Sequence, residues 1–228
     1  MSTLAVRGRA VGREVLIVAS SVLTGAIAGL IVARVHGNRM APWILGRATG
    51  LCAYVLLVAV VVLGLTLAHP RRAESGRSTG VRMRAHIVLS LLTLALMVLH
   101  VFVLATDRYA GVGWWGAVLP MGAQYRPLAV TLGVLGAWIG LLAGVTAGLA
   151  GRLPRQMWWQ LHKFAAVSFV LIWLHGMYAG SDTRSLLWLY VGTGALVVLV
   201  LAGRYAARRT ADPAVQEDAV DQEVGARQ

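Results

Sequence analysis

Four of the six histidines fall at two matched spacings inside apolar runs: His86 and His100 are fourteen residues apart, and His162 and His175 are thirteen apart. Neutral imidazole is a haem-iron ligand, and an iron held by two imidazoles has no open position, which favours electron transfer over ligand chemistry. Four such residues are what two b-type haems need. At a rise of about 1.5 Å per residue the histidines of each helix stand roughly 20 Å apart, so two stacked haems could divide a hydrocarbon core of about 30 Å. A lone histidine in an apolar helix is more often a hydrogen-bonded packing residue than a ligand. Four of them on two helices, at the same two depths, point instead to paired axial ligation of iron by His86, His100, His162 and His175.

The elements that must carry these residues are transmembrane helices. Of the 228 residues 58% are hydrophobic and 13% charged, and the mean hydropathy is +0.70, which leaves more apolar surface than a soluble domain of this length can bury. Six runs, at 14–34, 46–68, 85–106, 127–150, 160–180 and 185–205, are each long enough to cross as a helix. The expected fold is therefore all-α: a polytopic membrane protein built as a six-transmembrane-helix bundle, with two b haems between the third and fifth helices. Residues 1–13 read as a cytoplasmic leader, 14–206 as the bundle, and 207–228 as a disordered cytoplasmic tail. That tail holds Asp212, Glu217, Asp218, Asp221 and Glu223, five of the nine carboxylates. The first run is longer than the core of a usual signal peptide and reads as an uncleaved anchor.

The net charge of +12 comes from arginines and the single lysine, Lys163, clustered between the apolar runs. It describes topology and not a nucleic-acid surface. Arg7, Arg9 and Arg13, then Arg71, Arg72, Arg77, Arg82 and Arg84, then Arg152 and Arg155, and finally Arg204, Arg208 and Arg209 belong on the cytoplasmic side by the positive-inside rule. Both termini are then cytoplasmic, and the expected location is the plasma (cytoplasmic) membrane with its lipid. Trp43, Trp114, Trp115 and Trp188 fall near the outer interface, and Trp158 and Trp159 near the inner one. One cysteine, Cys52, excludes an internal disulfide, and no Cys-x-x-Cys-His motif is present for covalent haem attachment. The haems must be non-covalent, and Cys52 reads as a packing residue.

Spans three and five run in the same direction, so His86 pairs with His162 by depth, near the inner face, and His100 with His175 nearer the outer face. One geometric difficulty follows. Fourteen steps of about 100° return His100 to within about 40° of His86, whereas thirteen leave His175 about 140° from His162. A straight fifth helix cannot present both residues to one neighbour; a bulge, a kink or use of two sides is required.

Further segments carry a family likeness: Trp43 to Gly50 (WILGRATG), Leu119-Pro120 followed by Tyr125-Arg126-Pro127, Trp159-x-x-His162, and His175-Gly176. With the histidine pairs they make roughly residues 42–205 resemble the ferric reductase-like transmembrane domain family. That family includes the membrane cores of ferric reductases and NADPH oxidases and the membrane subunit of a bacterial methionine sulfoxide reductase system. The resemblance implies haem carriage by the third and fifth helices with ligands paired by depth. It also implies that Arg47 lies beside the outer haem, where its guanidinium could contact a propionate. Snorkelling to the interface is the other reading of Arg47. Arg82, Arg84 and Lys163 could serve the inner haem in the same way. Met97 and Met177 read as packing residues, and His36 and His69 as wetted loop-edge residues. Leu104 stands where the oxidases carry an additional histidine, which weakens oxygen as the acceptor.

No Gly-rich strand-to-helix fingerprint occurs, so no flavin or NAD(P) is expected on this chain alone. The expected function is transmembrane electron transfer through two bis-histidine b haems, from a cytoplasmic or membrane donor to an outer acceptor, ferric iron being the family-average choice. The chain would then be an oxidoreductase component whose donor is a flavoprotein or a quinol. A haem-bearing subunit for a secreted or periplasmic acceptor protein, such as a methionine sulfoxide reductase, is the alternative. Other classes are a haem sensor and a haem-free structural or transport protein.

Overall fold

A computed structural model describes residues 40–68 and 76–209, together with Ile17, Ser21, Gly25 and Gly29; for residues 76–78 only the backbone is described. The leader, nearly all of the first expected span, His36, His69 and residues 210–228 lie outside the described residues. Every described element is a helix: α1 Ala41–Leu67, α2 Gly76–Thr106, the short α3 Gly113–Val118, α4 Pro127–Gly148, α5 Arg155–Lys163, α6 Ala165–Ala179 and α7 Thr183–Arg209. Proline begins α1 and α4 within the first two positions, where its missing N–H is no loss. Five helices, Ala41–Leu67, Thr79–Thr106, Pro127–Gly148, Arg155–Ala179 and Thr183–Arg209, are long and apolar enough to cross a membrane. The chain is therefore all-helical among the described residues and multi-pass in character.

The expected spans two to six fall on these five helices, with shifted ends. The first of them starts at Ala41 instead of 46, because the Ala41-Pro42 start needs no apolar run. The next reaches back to Gly76, through the Arg82 and Arg84 segment that the apolar pattern omitted. The last helix continues to Arg209, so three residues assigned to the tail are helical, and Arg209 donates to the Tyr205 hydroxyl at 3.2 Å one turn back.

Polar side chains within the helices are satisfied locally. Ser90 and the Thr49, Thr93, Thr146 and Thr193 hydroxyls donate to the carbonyl four residues earlier at 2.7–2.8 Å, the way hydroxyls are tolerated where no water reaches. A small core of Tyr54, Val58, Phe169 and Tyr190 joins α1, α6 and α7. Leu128, Val198, Leu199 and Trp188, by contrast, are mostly exposed, as residues that face lipid must be. Cys52 also lies on the exposed side of α1 rather than in the packing where its apolar neighbours had suggested it.

Helix α1 packs chiefly on α2, and α4 chiefly on α6, while α7 covers α1 and α6 and the short α3 lies against α2 and α4. The histidine-bearing α2 and α6 make no substantial contact with each other. Their direct contact is minimal, while α1 also touches α6 and α4 also touches α2.

Candidate functional site

The structure brings the four rings together as His86 with His162 and His100 with His175. The His86 and His162 rings have centroids 6.2 Å apart at an interplanar angle of 77°, and the His100 and His175 rings are 6.4 Å apart, also at 77°. No alternative pairing occurs among the ring contacts of these four residues. The helix is interrupted at Phe164, which separates α5 from α6 between the two histidines. The Phe164 N–H donates to the Leu161 carbonyl, three residues back, at 3.1 Å, and its own carbonyl accepts from Ser168 at 3.0 Å to restart the helix. One tightened turn adds roughly 20° per residue, about 60° of the missing rotation, and both rings meet histidines of α2.

The imidazoles of the second pair are held by main-chain carbonyls. His100 Nδ1 lies 2.6 Å from Gly46 O on α1, and His175 Nδ1 lies 2.8 Å from Ala129 O on α4. A carbonyl oxygen can only accept, so Nδ1 carries the proton in both rings and Nε2 is left with its lone pair, the tautomer of a metal ligand with a carbonyl partner behind it. In the His86–His162 pair, Nδ1 of both rings is buried without a hydrogen bond. The Trp158 ring stacks on His162 at 5.6 Å and 20°.

A cavity of about 590 Å³ opens between the helices at the His100–His175 pair, within the roughly 300–1,000 Å³ of small-molecule and cofactor sites. His100, His175, Met97 and Leu104 line its depth, and Arg47 and Asp182 its mouth. Arg47 joins α1 to the connection between α6 and α7 there: its guanidinium lies 4.2 Å over the Trp43 ring, donates to Ser181 Oγ at 2.5 Å and forms an ion pair with Asp182. Neither Ser181 nor Asp182 was foreseen as its partner. An ion pair between residues 135 positions apart leaves no local trace in a sequence.

Tyr125 and Arg126 tie α4 to the end of α6. The Tyr125 hydroxyl donates to Ala179 O at 3.0 Å, and Arg126 Nη1 donates to Tyr178 O at 2.7 Å, so carbonyls left open at the helix terminus gain partners. Arg126 itself occupies the left-handed region, with φ 39°, a conformation that these bonds hold in place one turn beyond His175. At the opposite end, Lys163 lies 5.9 Å over the Trp159 ring and Arg84 is exposed. Met97 lines the cavity, and Met177 packs on the small core.

These residues fit a haem better than a bare metal ion. A metal–imidazole bond of about 2.0 Å on each side, with each ring nitrogen about 1.2 Å from its ring centre, puts two axial imidazoles about 6.4 Å apart. Both pairs meet that separation to within 0.2 Å. Among the described residues no group of three or more His, Cys, Asp or Glu comes together, whereas a protein-bound zinc-type ion takes three or four such ligands. Two histidines suffice only where another group supplies the remaining coordination. Set against family models, characterised proteins and solved structures, the chain matches none.

Proposed function

We propose that this chain is a membrane cytochrome b of ferric reductase-like character, which moves electrons from a cytoplasmic or membrane donor to an acceptor on the outer side. His86 and His162 hold one non-covalent b haem, and His100 and His175 the other. When bound, the haems supply one-electron redox chemistry. The chain's own residues supply position and insulation. Four imidazoles fix two sites at two depths, roughly 20 Å apart by the helical rise. Carbonyls of Gly46 and Ala129 keep the Nε2 lone pairs of His100 and His175 available. The apolar faces of α1, α2, α4 and α6 exclude water and so favour the less charged state of each centre. Arg47 offers a positive charge at the cavity mouth, where a carboxylate of the cofactor could share it with Asp182.

The observation that carries this reading is the repetition of one geometry: two histidine pairs, 6.2 and 6.4 Å apart, both at 77°. The arginine distribution orients the molecule with both termini in the cytoplasm of a plasma membrane. On that orientation the His100–His175 pair serves the outer acceptor, ferric iron or a secreted protein, and the His86–His162 pair faces a flavoprotein or quinol donor. The decisive experiment is purification in detergent with haem quantification and spectroscopy. Two b haems per chain with low-spin bis-imidazole spectra, reducible by a donor and reoxidised by an outer acceptor in proteoliposomes, are expected. A chain that folds but takes up no haem refutes the proposal.

A further inference from the structure

Three of the four histidine rings rest on a neighbouring helix at a glycine. A Cβ on Gly50 would stand 2.7 Å from both Cε1 and Nδ1 of His100, one on Gly133 2.6 Å from His175 Nδ1, and one on Gly64 3.1 Å from His86 Cε1. Gly50 and Gly133 each lie four residues after the carbonyl that the ring addresses: Gly46 precedes Gly50 and Ala129 precedes Gly133. The spacing has a physical cause. A helix carbonyl points along the axis toward residue i+4, so a ring that reaches it must pass over that residue's Cα, where a side chain would stand in the way. Glycine weakens a helix relative to alanine, and its recurrence under histidines needs a packing reason of this kind. Gly50 and Gly64 are fourteen residues apart on α1, the same interval that separates His86 from His100 on α2.

The fourth seat differs. Gly133 faces His175, Gly136 faces Ile172 and Gly140 faces Ser168, and the same antiparallel register continued into α5 brings Thr146 to the level of His162. The Thr146 hydroxyl already donates to Leu142 O at 2.8 Å, the carbonyl four residues back, and His162 Nδ1 is left without a partner.

We propose that Gly50 and Gly133 are positioning residues that seat His100 and His175 on main-chain carbonyls, turning their second nitrogens into the gap between α2 and α6, with Gly64 seating His86 more loosely. The inference rests on the reading of these histidines as haem ligands. Its test is built so that the two can fail separately.

The full chain, prepared without haem, is melted as Gly50→Ala, His100→Ala and the double variant. Gly50→Ala should lower the melting temperature, and adding His100→Ala should restore it, because the methyl then meets no ring. If Gly50→Ala gives no folded chain, the double variant must give one. Failure of His100→Ala to rescue overturns the seat, whatever the haem content. In haem-loaded protein, Gly50→Ala and Gly133→Ala should each convert the same one of two low-spin centres to a form that binds carbon monoxide, a loss of about half the low-spin signal. Gly64→Ala should perturb the other centre less. Gly136→Ala, whose methyl would meet Ile172 Cγ1 at 2.7 Å and no histidine, should lower the melting temperature and leave both spectra intact. Unchanged spectra in Gly50→Ala and Gly133→Ala overturn the inference while two haems remain bound. A wild-type chain that takes no haem refutes the functional reading, and the haem-free melts still decide the seat.

Discussion

Replacing His86 with alanine should remove one haem of two and leave the second almost undisturbed. The two histidine levels of α2 are fourteen residues apart, about 21 Å along the axis. Unit charges roughly 20 Å apart in an effective dielectric of about 20 interact by about 0.8 kcal/mol. For one electron that is about 35 mV, from the 59 mV that accompanies a tenfold change in equilibrium constant. His86→Ala and His162→Ala should therefore each eliminate the same spectral component with about half of the haem, and the midpoint of the surviving centre should move by no more than that amount. Low-temperature difference spectra of membranes identify the lost component, and redox titration measures the remaining one. The depth pairing is refuted if His86→Ala and His100→Ala strike the same component while His162→Ala strikes the other. A midpoint shift several times larger would mean that the two sites are far closer than the helical rise puts them.

Charge at the cavity mouth should act with opposite signs: Arg47→Leu lowers the midpoint or occupancy of the His100–His175 centre, because loss of a positive charge disfavours the added electron, and Asp182→Asn raises it. The Arg47 and Asp182 side chains are 27% and 55% exposed, so their pair is worth only about 0–1 kcal/mol and melting temperatures should hardly change; unaltered potentials in both variants would leave Arg47 a partner of Asp182 and nothing more. The hydrogen bond between Tyr54 and Thr193 joins α1 to α7, and a Tyr54→Phe, Thr193→Val cycle read by unfolding in detergent should give a coupling of about 0.6–1.7 kcal/mol; zero coupling would remove that bond from the account of packing. Haem-loaded protein should be reduced by dithionite and, in stopped flow, not at turnover-like rates by NADPH unless a flavoprotein is added, since hydride carries two electrons and a b haem takes one; direct reduction by NADPH would reveal a flavin or nicotinamide site on this chain.

The apolar runs and the histidine intervals were legible in the sequence because both follow from helical periodicity, which acts within a single element. The phase mismatch between His162 and His175 was legible for the same reason, though not which of a bulge, a kink or two faces accommodates it, nor the interruption at Phe164. What escaped depends on contacts between elements. Nothing near Arg47 announces Asp182, and nothing in the Ala129 segment announces that its carbonyl will receive the His175 ring. The interval between Gly50 and Gly64 repeats that between the histidines of the next helix, and this signal was present but unread, since glycines are common in transmembrane helices for many reasons. The short α3 was also missed, because six residues with two tryptophans are too few to show a period.

The separation of α2 from α6 has a consequence for how much of this protein a cell can keep. On the proposed reading, the group held between these helices adds to the contacts through α1 and α4 that already bridge them, so its binding free energy is also stability of the bundle. A ligand at a hundred times its dissociation constant adds about 2.7 kcal/mol, a large share of what usually separates a folded chain from one taken by proteases. The steady-state amount of the protein should then follow the supply of haem during biosynthesis rather than the level of its messenger. Chains with alanine at His100 or His175 should be cleared faster than wild type, and the difference should be larger when haem is plentiful than when it is scarce.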